Sequence, residues 1–162
     1  LKMLDVNVLR TSSSEPTAQR LVTIEAGIVA WLEEYRPEAV AVERVFARSD
    51  SSTIMGTAQA SGIALVVAAR AGLPIATYTP SEVKAAVSGS GRADKAQVGA
   101  MVTRILRLDA PPKPADAADA LALAITHIWR GGAQARIEAA VARTRVQSRV
   151  PTTGRLIAGG AR

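Results

Sequence analysis

Cysteine is absent from the 162 residues, which excludes a disulfide framework and a thiolate metal site and makes the cytoplasm the expected compartment. Aromatic residues are only 3% of the chain, with one phenylalanine, Phe46, and there is one histidine, His127, so stacking and imidazole chemistry rest on very few positions. Long hydrophobic runs are also missing. The longest uncharged stretch, Ser51 to Ala69, carries Ser, Thr, Gln and Gly throughout and lacks the density of a membrane span. It reads as a buried helix, and no membrane association is expected. Nothing near Leu1 has the pattern of a secretory signal.

Hydrophobic residues are 48% of the chain, enough for the core of one domain of ordinary size. The net charge of +6 points toward nucleic acid, but most of it is local. Residues 131–162 hold six arginines (Arg136, Arg143, Arg145, Arg149, Arg155 and Arg162) against the single acid Glu138, which leaves residues 1–130 nearly neutral. Two parts are therefore expected: a folded domain over 1–130 and a basic, partly helical, mobile tail over 131–162 able to add salt-sensitive attraction to phosphates.

Hydrophobic periodicity divides the domain into alternating elements. Leu4, Val6 and Val8 alternate with Asp5 and Asn7, the pattern of a half-buried strand. Leu21, Ile24, Ile28 and Leu32 form one stripe of a helix from about Pro16 to Tyr35, with Pro37 just past its end. Ala39 to Val42 is apolar on both faces, as in an interior strand, and Pro74 to Tyr78 is a second short strand after the Ser51 to Ala71 helix. Thr79, Pro80 and Glu82 form a capping box opening the next helix. Val98, Met101, Val102, Ile105 and Leu106 mark a further amphipathic helix, and Pro114 opens the last, through Trp129. Strands separated by helices define an α/β fold with helices packed on a sheet.

Three acids sit in apolar settings. Glu43 follows the apolar run at the carboxyl end of a strand, where open α/β sheets present their sites. Asp116 and Asp119 are three apart at a helix start, so they share one side and are stabilised as carboxylates by the helix dipole. Carboxylates so placed are costly unless a cation binds them, and clustered carboxylates holding Mg²⁺ beside a phosphodiester are the working parts of many nucleases. The competing reading makes Glu43 a loop start and the aspartates a cap and a solvated side chain. Ala115, Ala117, Ala118 and Ala120 around them are small, as if other backbone approaches closely. His127 shares the face of Asp116 but stands roughly 16 Å along the helix axis, too far to share a metal, and reads as a structural group near the helix end.

Five segments in order resemble the RuvC-type Holliday-junction resolvases of the ribonuclease-H-like superfamily, over residues 1 to about 130. They are Ala41-Val42-Glu43-Arg44-Val45-Phe46, Gly56-Thr57-Ala58-Gln59-Ala60-Ser61-Gly62, Ser81-Glu82-Val83-Lys84, Gly89 to Val98, and Ala115 to His127. The resemblance implies a ribonuclease-H-like mixed sheet with helices on both faces. It implies a homodimeric endonuclease that nicks opposing strands of a four-way DNA junction in recombination and repair, beside a branch-migration helicase complex. Mg²⁺ is the expected cofactor, two ions per site, with Mn²⁺ as a substitute. Glu43, Asp116 and Asp119 match the metal ligands and Lys95 a catalytic lysine. Lys84, Lys95, Arg44 and Arg92 match or suggest phosphate contacts, and Phe46 an aromatic that stacks near the crossover. A Gly89-x-Gly91 loop before Lys95 suggests an anion site at a helix start. Gly56, Gln59 and Gly62 suggest close packing, with a dimer interface among the options.

One departure accompanies the match. Family members begin with a strand ending in Asp-Pro-Gly, whose Asp is the first metal ligand, followed by a second strand, and no such tripeptide occurs here. The expected fold therefore lacks the first two strands, and the chain by itself is expected to bind Mg²⁺ poorly and cut slowly. A non-catalytic junction-binding relative, and an unrelated α/β enzyme acting on a small phosphorylated substrate, are the rival expectations.

Overall fold

A computed structural model describes residues 1–44 and 51–147, apart from the side chains of 51–53 and 132–147. Residues 1–128 make one compact unit and residues 129–162 a second. The first helix, α1 (Thr17–Tyr35), is stopped by Arg36, which takes a left-handed conformation at φ 44° and returns its amide to the Leu32 carbonyl at 3.0 Å. Strand β1 (Val40–Glu43) pairs in parallel with β2 (Ile75–Tyr78), with Val40 opposite Ile75 and Glu43 opposite Tyr78. The Arg44 amide continues the ladder to the Tyr78 carbonyl at 2.8 Å. Parallel strands need a crossover, and α2 (Ser51–Arg70) lies within it, packed against α1 and against both strands. Arg70 and Glu25, 2.9 Å apart, add a solvent-screened tie between α1 and α2.

The remaining helices form the core. Thr79 caps α3 (Pro80–Ser88) through the predicted box: its hydroxyl accepts from the Glu82 amide at 3.2 Å and its amide donates to the Glu82 carboxylate at 2.8 Å. A second box, which sequence reading missed, opens α4 (Lys95–Leu106), where Asp94 and Gln97 exchange bonds of 2.8 and 3.0 Å. The last helix, α5 (Ala115–Gln147), runs well past Trp129. Val83 and Val87 of α3, Val98 and Val102 of α4, and Leu121, Ala122 and Ile125 of α5 close on one another as the buried cluster, and Tyr78 packs on its margin. The α/β class is as expected; the described sheet consists of the parallel pair β1–β2.

Two expectations fail. Leu4 to Val8 is not a strand; two of its amides turn to the preceding side chain, with Asp5 Oδ1 accepting from the Val6 amide at 2.8 Å and Asn7 Oδ1 from the Val8 amide at 3.0 Å. The segment is pinned by side chains instead. Tyr35 donates its hydroxyl to Asp5 at 2.7 Å, Met3 and Val6 pack on the core, and Leu9 sits where a Cβ on Gly27 would collide with it. Nor is α2 a buried helix. Only Val67 and Ala68 of its described side chains are buried, whereas Met55 is 61% and Val66 45% exposed, because one face suffices to cover the two strands and α1.

Candidate active site

The carboxyl ends of β1 and β2 meet the starts of three helices, and that meeting point is a cavity of about 630 Å³. Glu43 reaches it as the last residue of β1. Its ladder partner Tyr78 is followed at once by the Thr79 cap, which aims α3 so that Val83 turns into the core and Lys84 lines the cavity. Asp94 ends the preceding loop as the α4 cap, leaving Lys95 as the first helical residue on the cavity wall. Asp116 and Asp119 come from the first turns of α5, where buried Ala117 and Ala118 face inward and leave both carboxylates on the cavity side. The small side chains flanking the aspartates thus serve close packing of α5. Thr57 of α2, Pro80, Val98, Ala120 and Leu123 complete the wall.

The electrostatics follow from this crowding. Glu43 holds its proton above the ordinary carboxyl range, first because protein atoms displace water from it and second because Asp119 adds like charge; the Lys95 ammonium opposes both. Lys95 Nζ stands 3.5 Å from Asp119 Oδ2, with the two side chains 71% and 45% exposed, so the pair is solvent-screened and contributes at most about 1 kcal/mol. Among the described residues no three Asp, Glu or His side chains are gathered at ion-holding spacing. The donor chemistry nevertheless suits a hard divalent cation: the acids lining the cavity offer carboxylate oxygens only, and the like-charge strain on Glu43 is the kind that a cation relieves.

Of the other sequence-derived candidates, Arg44 is engaged elsewhere, donating to the Thr77 hydroxyl on β2 at 3.1 Å. Arg92 lines a different hollow with Ser88, Ser90 and Gln97. Phe46 lies outside the described residues. At the α4 start the Asp94 carboxylate accepts from the Gln97 amide and places a negative charge where an anion would sit. His127 is structural, as expected, but for another reason: α5 does not end there, and its Nδ1 instead meets the Tyr78 hydroxyl at 3.0 Å. Sequence reading missed Tyr78, Thr57 and the Asp94 cap; only the last carried a signal, the Asp-x-x-Gln spacing before an apolar helix.

An α/β fold that sets a strand-end glutamate against a helix-borne aspartate pair, with lysines in the same hollow, belongs to the carboxylate-dependent nucleases of ribonuclease-H-like architecture. The family described as crossover junction endodeoxyribonuclease RuvC matches residues 1–127. The crossover junction endodeoxyribonuclease RuvC of Nocardioides sp. is 76% identical over 149 residues, covering 92% of this chain and 84% of that protein. That of Streptomyces avermitilis is 68% identical over 142 residues, covering 88% and 81%. The solved structure of Thermus thermophilus RuvC superposes with a TM-score of 0.75 at 39% identity, covering 82% of this chain and 80% of that one. A second, T. thermophilus RuvC in complex with Holliday junction substrate, gives 0.75 at 40% identity, covering 80% and 79%. The chain belongs to the RuvC family of nucleases.

Proposed function

We propose that the protein resolves four-way DNA junctions by Mg²⁺-dependent paired nicking of opposing strands, in recombination and repair, with this chain supplying three of the carboxylates that hold the metal. The observation that carries the reading is the arrival of Glu43, Asp116 and Asp119 from a strand end and a distant helix start in one cavity that also holds Lys84 and Lys95. Glu43, Asp116 and Asp119 are the residues that would hold the metal, in the two-ion arrangement expected for the family, with Mn²⁺ as a substitute. Bound there, Mg²⁺ supplies the Lewis acidity that activates water and stabilises the departing 3′ oxygen. The protein's own part is to fix those carboxylates on rigid elements and to set two ammonium groups beside the place a phosphodiester must occupy. Lys84 and Lys95 carry the phosphate contact, with Arg44 and Arg92 as outlying contacts and Phe46 as the stacking aromatic.

The working unit is proposed to be a homodimer. Gly56 and Gly62 of α2 face open space within the chain, and Met55 and Val66 on the same helix are exposed, so a second copy is a suitable cover for a helix that its own fold leaves half bare. Gln59 lies between the two glycines. A basic extension over 131–162 is proposed to add salt-sensitive attraction to DNA outside the 1–130 catalytic domain. No helix among the described residues is long and apolar enough to cross a membrane, and the cytoplasm is the proposed compartment. A branch-migration helicase complex is the proposed partner on the strength of the family alone.

The decisive experiment is Asp116→Asn in the protein that also carries the family's Asp-Pro-Gly strand, a change of charge with almost no change of shape. Nicking of a synthetic four-way junction in Mg²⁺ should fall by at least about a hundredfold while junction affinity stays within about twofold, because the carboxylate acts on metal rather than on DNA. Parallel loss of binding and cutting would overturn the assignment.

A further inference from the structure

Lys95 has a carboxylate partner in the DNA-free chain, and a phosphodiester entering the cavity would compete with that carboxylate for its ammonium donors. Its ammonium is 3.5 Å from Asp119 Oδ2 in the DNA-free chain, and Lys95 lines the cavity proposed to admit the phosphodiester. Lys84 lines the same cavity without an ion pair to a described acid. The two lysines are thus not equivalent: one neutralises the cavity in general, the other occupies a specific carboxylate. The Asp94 box matters here, because its two bonds with Gln97 fix the backbone from which the Lys95 side chain departs toward Asp119.

We propose that Lys95 is a resident counter-ion of Asp119 that an arriving divalent cation displaces, so that its ammonium turns toward the phosphodiester only once the carboxylates are loaded. This rests on the metal-dependent reading of the cavity and adds an order of events to it. The pair is suited to exchange. Exposure of 71% and 45% leaves a contact favoured by no more than about fivefold over separated side chains, which a doubly charged ion with direct oxygen ligation overcomes. Until then the ammonium offsets part of the like charge between Asp119 and Glu43. Exchange also sets a toll on metal binding, since the ion must replace a cation already in place.

The test is Mn²⁺ binding by the DNA-free chain, read as the residual electron paramagnetic resonance signal of free Mn²⁺, with Mg²⁺ affinity obtained by competition. Removing the resident cation in Lys95→Gln should tighten Mn²⁺ binding about three- to sixfold, whereas Lys84→Gln, which removes the same charge without freeing a carboxylate, should change it less than about twofold. Lys95→Arg should stay within about twofold of the unmodified chain. Thermal melts verify that each exposed substitution leaves the fold intact. If Lys95→Gln binds no more tightly than Lys84→Gln, the exchange is overturned. Asp119→Asn separates this failure from a deeper one: it should weaken Mn²⁺ binding at least about tenfold, and if it binds as the unmodified chain does, the carboxylate metal site itself falls and the exchange with it.

Discussion

Glu43→Gln separates the cost of the site from its use. The substitution keeps the side chain's size and removes one negative charge from a cavity that already holds Asp116 and Asp119. Burial and the Asp119 charge raise the Glu43 carboxyl above its usual titration range near 4.5, so the folded chain favours the protonated form. The sign follows from linkage. A group whose folded value lies above its unfolded one lends its stability fully below the unfolded value, and that stability is lost as pH rises through the folded one. At pH 7.5 the ionised Glu43 is therefore a destabilising charge. Because Glu43 as a residue remains exposed despite the partial burial of its carboxyl group, the penalty is discounted to the scale of a screened surface interaction, up to about 1 kcal/mol. A domain of this size shifts its Tm by about 2–4 °C per kcal/mol, so in EDTA at pH 7.5 the variant should melt about 1–3 °C higher. The gain should shrink toward zero as the buffer is taken to pH 4, where the unmodified chain is protonated too. Junction nicking in Mg²⁺ should be lost throughout. A variant that melts lower at pH 7.5, or whose gain is the same at pH 4, would refute the claim that like-charge crowding and burial act on Glu43.

Two further substitutions address the scaffold. Tyr78→Phe deletes the hydroxyl that bonds His127 Nδ1 at 3.0 Å and should cost about 1 kcal/mol, seen as a drop of about 2–4 °C in Tm; an unchanged Tm would show that this bond contributes nothing between β2 and α5. Val102→Ala removes two methyl groups from a fully buried position between α3 and α5 and should cost about 2–3 kcal/mol, read as a lower denaturant midpoint at unchanged slope. A cost below about 1 kcal/mol would mean that the cluster collapses onto the gap, and that Val102 is not a fixed point of the core.

What could be read from the chain beforehand was set by the range of the interactions concerned. Helix α1 is encoded by one stripe and a proline just beyond it, β1 by a short apolar run, and α3 by a capping box of four consecutive residues, all of them local signals that survive into the fold. The Leu4 to Val8 alternation is local as well, yet a strand is completed by a neighbour's backbone. With Asp5 and Asn7 accepting from the following amides, the pattern serves only to turn Val6 toward the core. In α2 the absence of charge does not amount to burial. Thr57, Gln59 and Ser61 are uncharged but polar, and the described side chains face the interior only near Val67 and Ala68.

The site shows the same division between local and distant. Each carboxylate was visible singly, Glu43 as the polar end of an apolar strand and the aspartates as acids at a helix start, because strand ends and helix termini are positions at which charge is stabilised or displayed. That Lys95 meets Asp119, while Arg92 three residues earlier lines another hollow, is not written in any window of sequence. It depends on α4 and α5 starting side by side, which in turn depends on Val98 and Val102 closing on Leu121 and Ile125 within the same cluster. A lysine one turn later on α4 would be carried roughly 5 Å along its axis, away from that carboxylate. The core therefore sets more than stability: the packing that fixes the offset between two helices also decides which cation guards which acid.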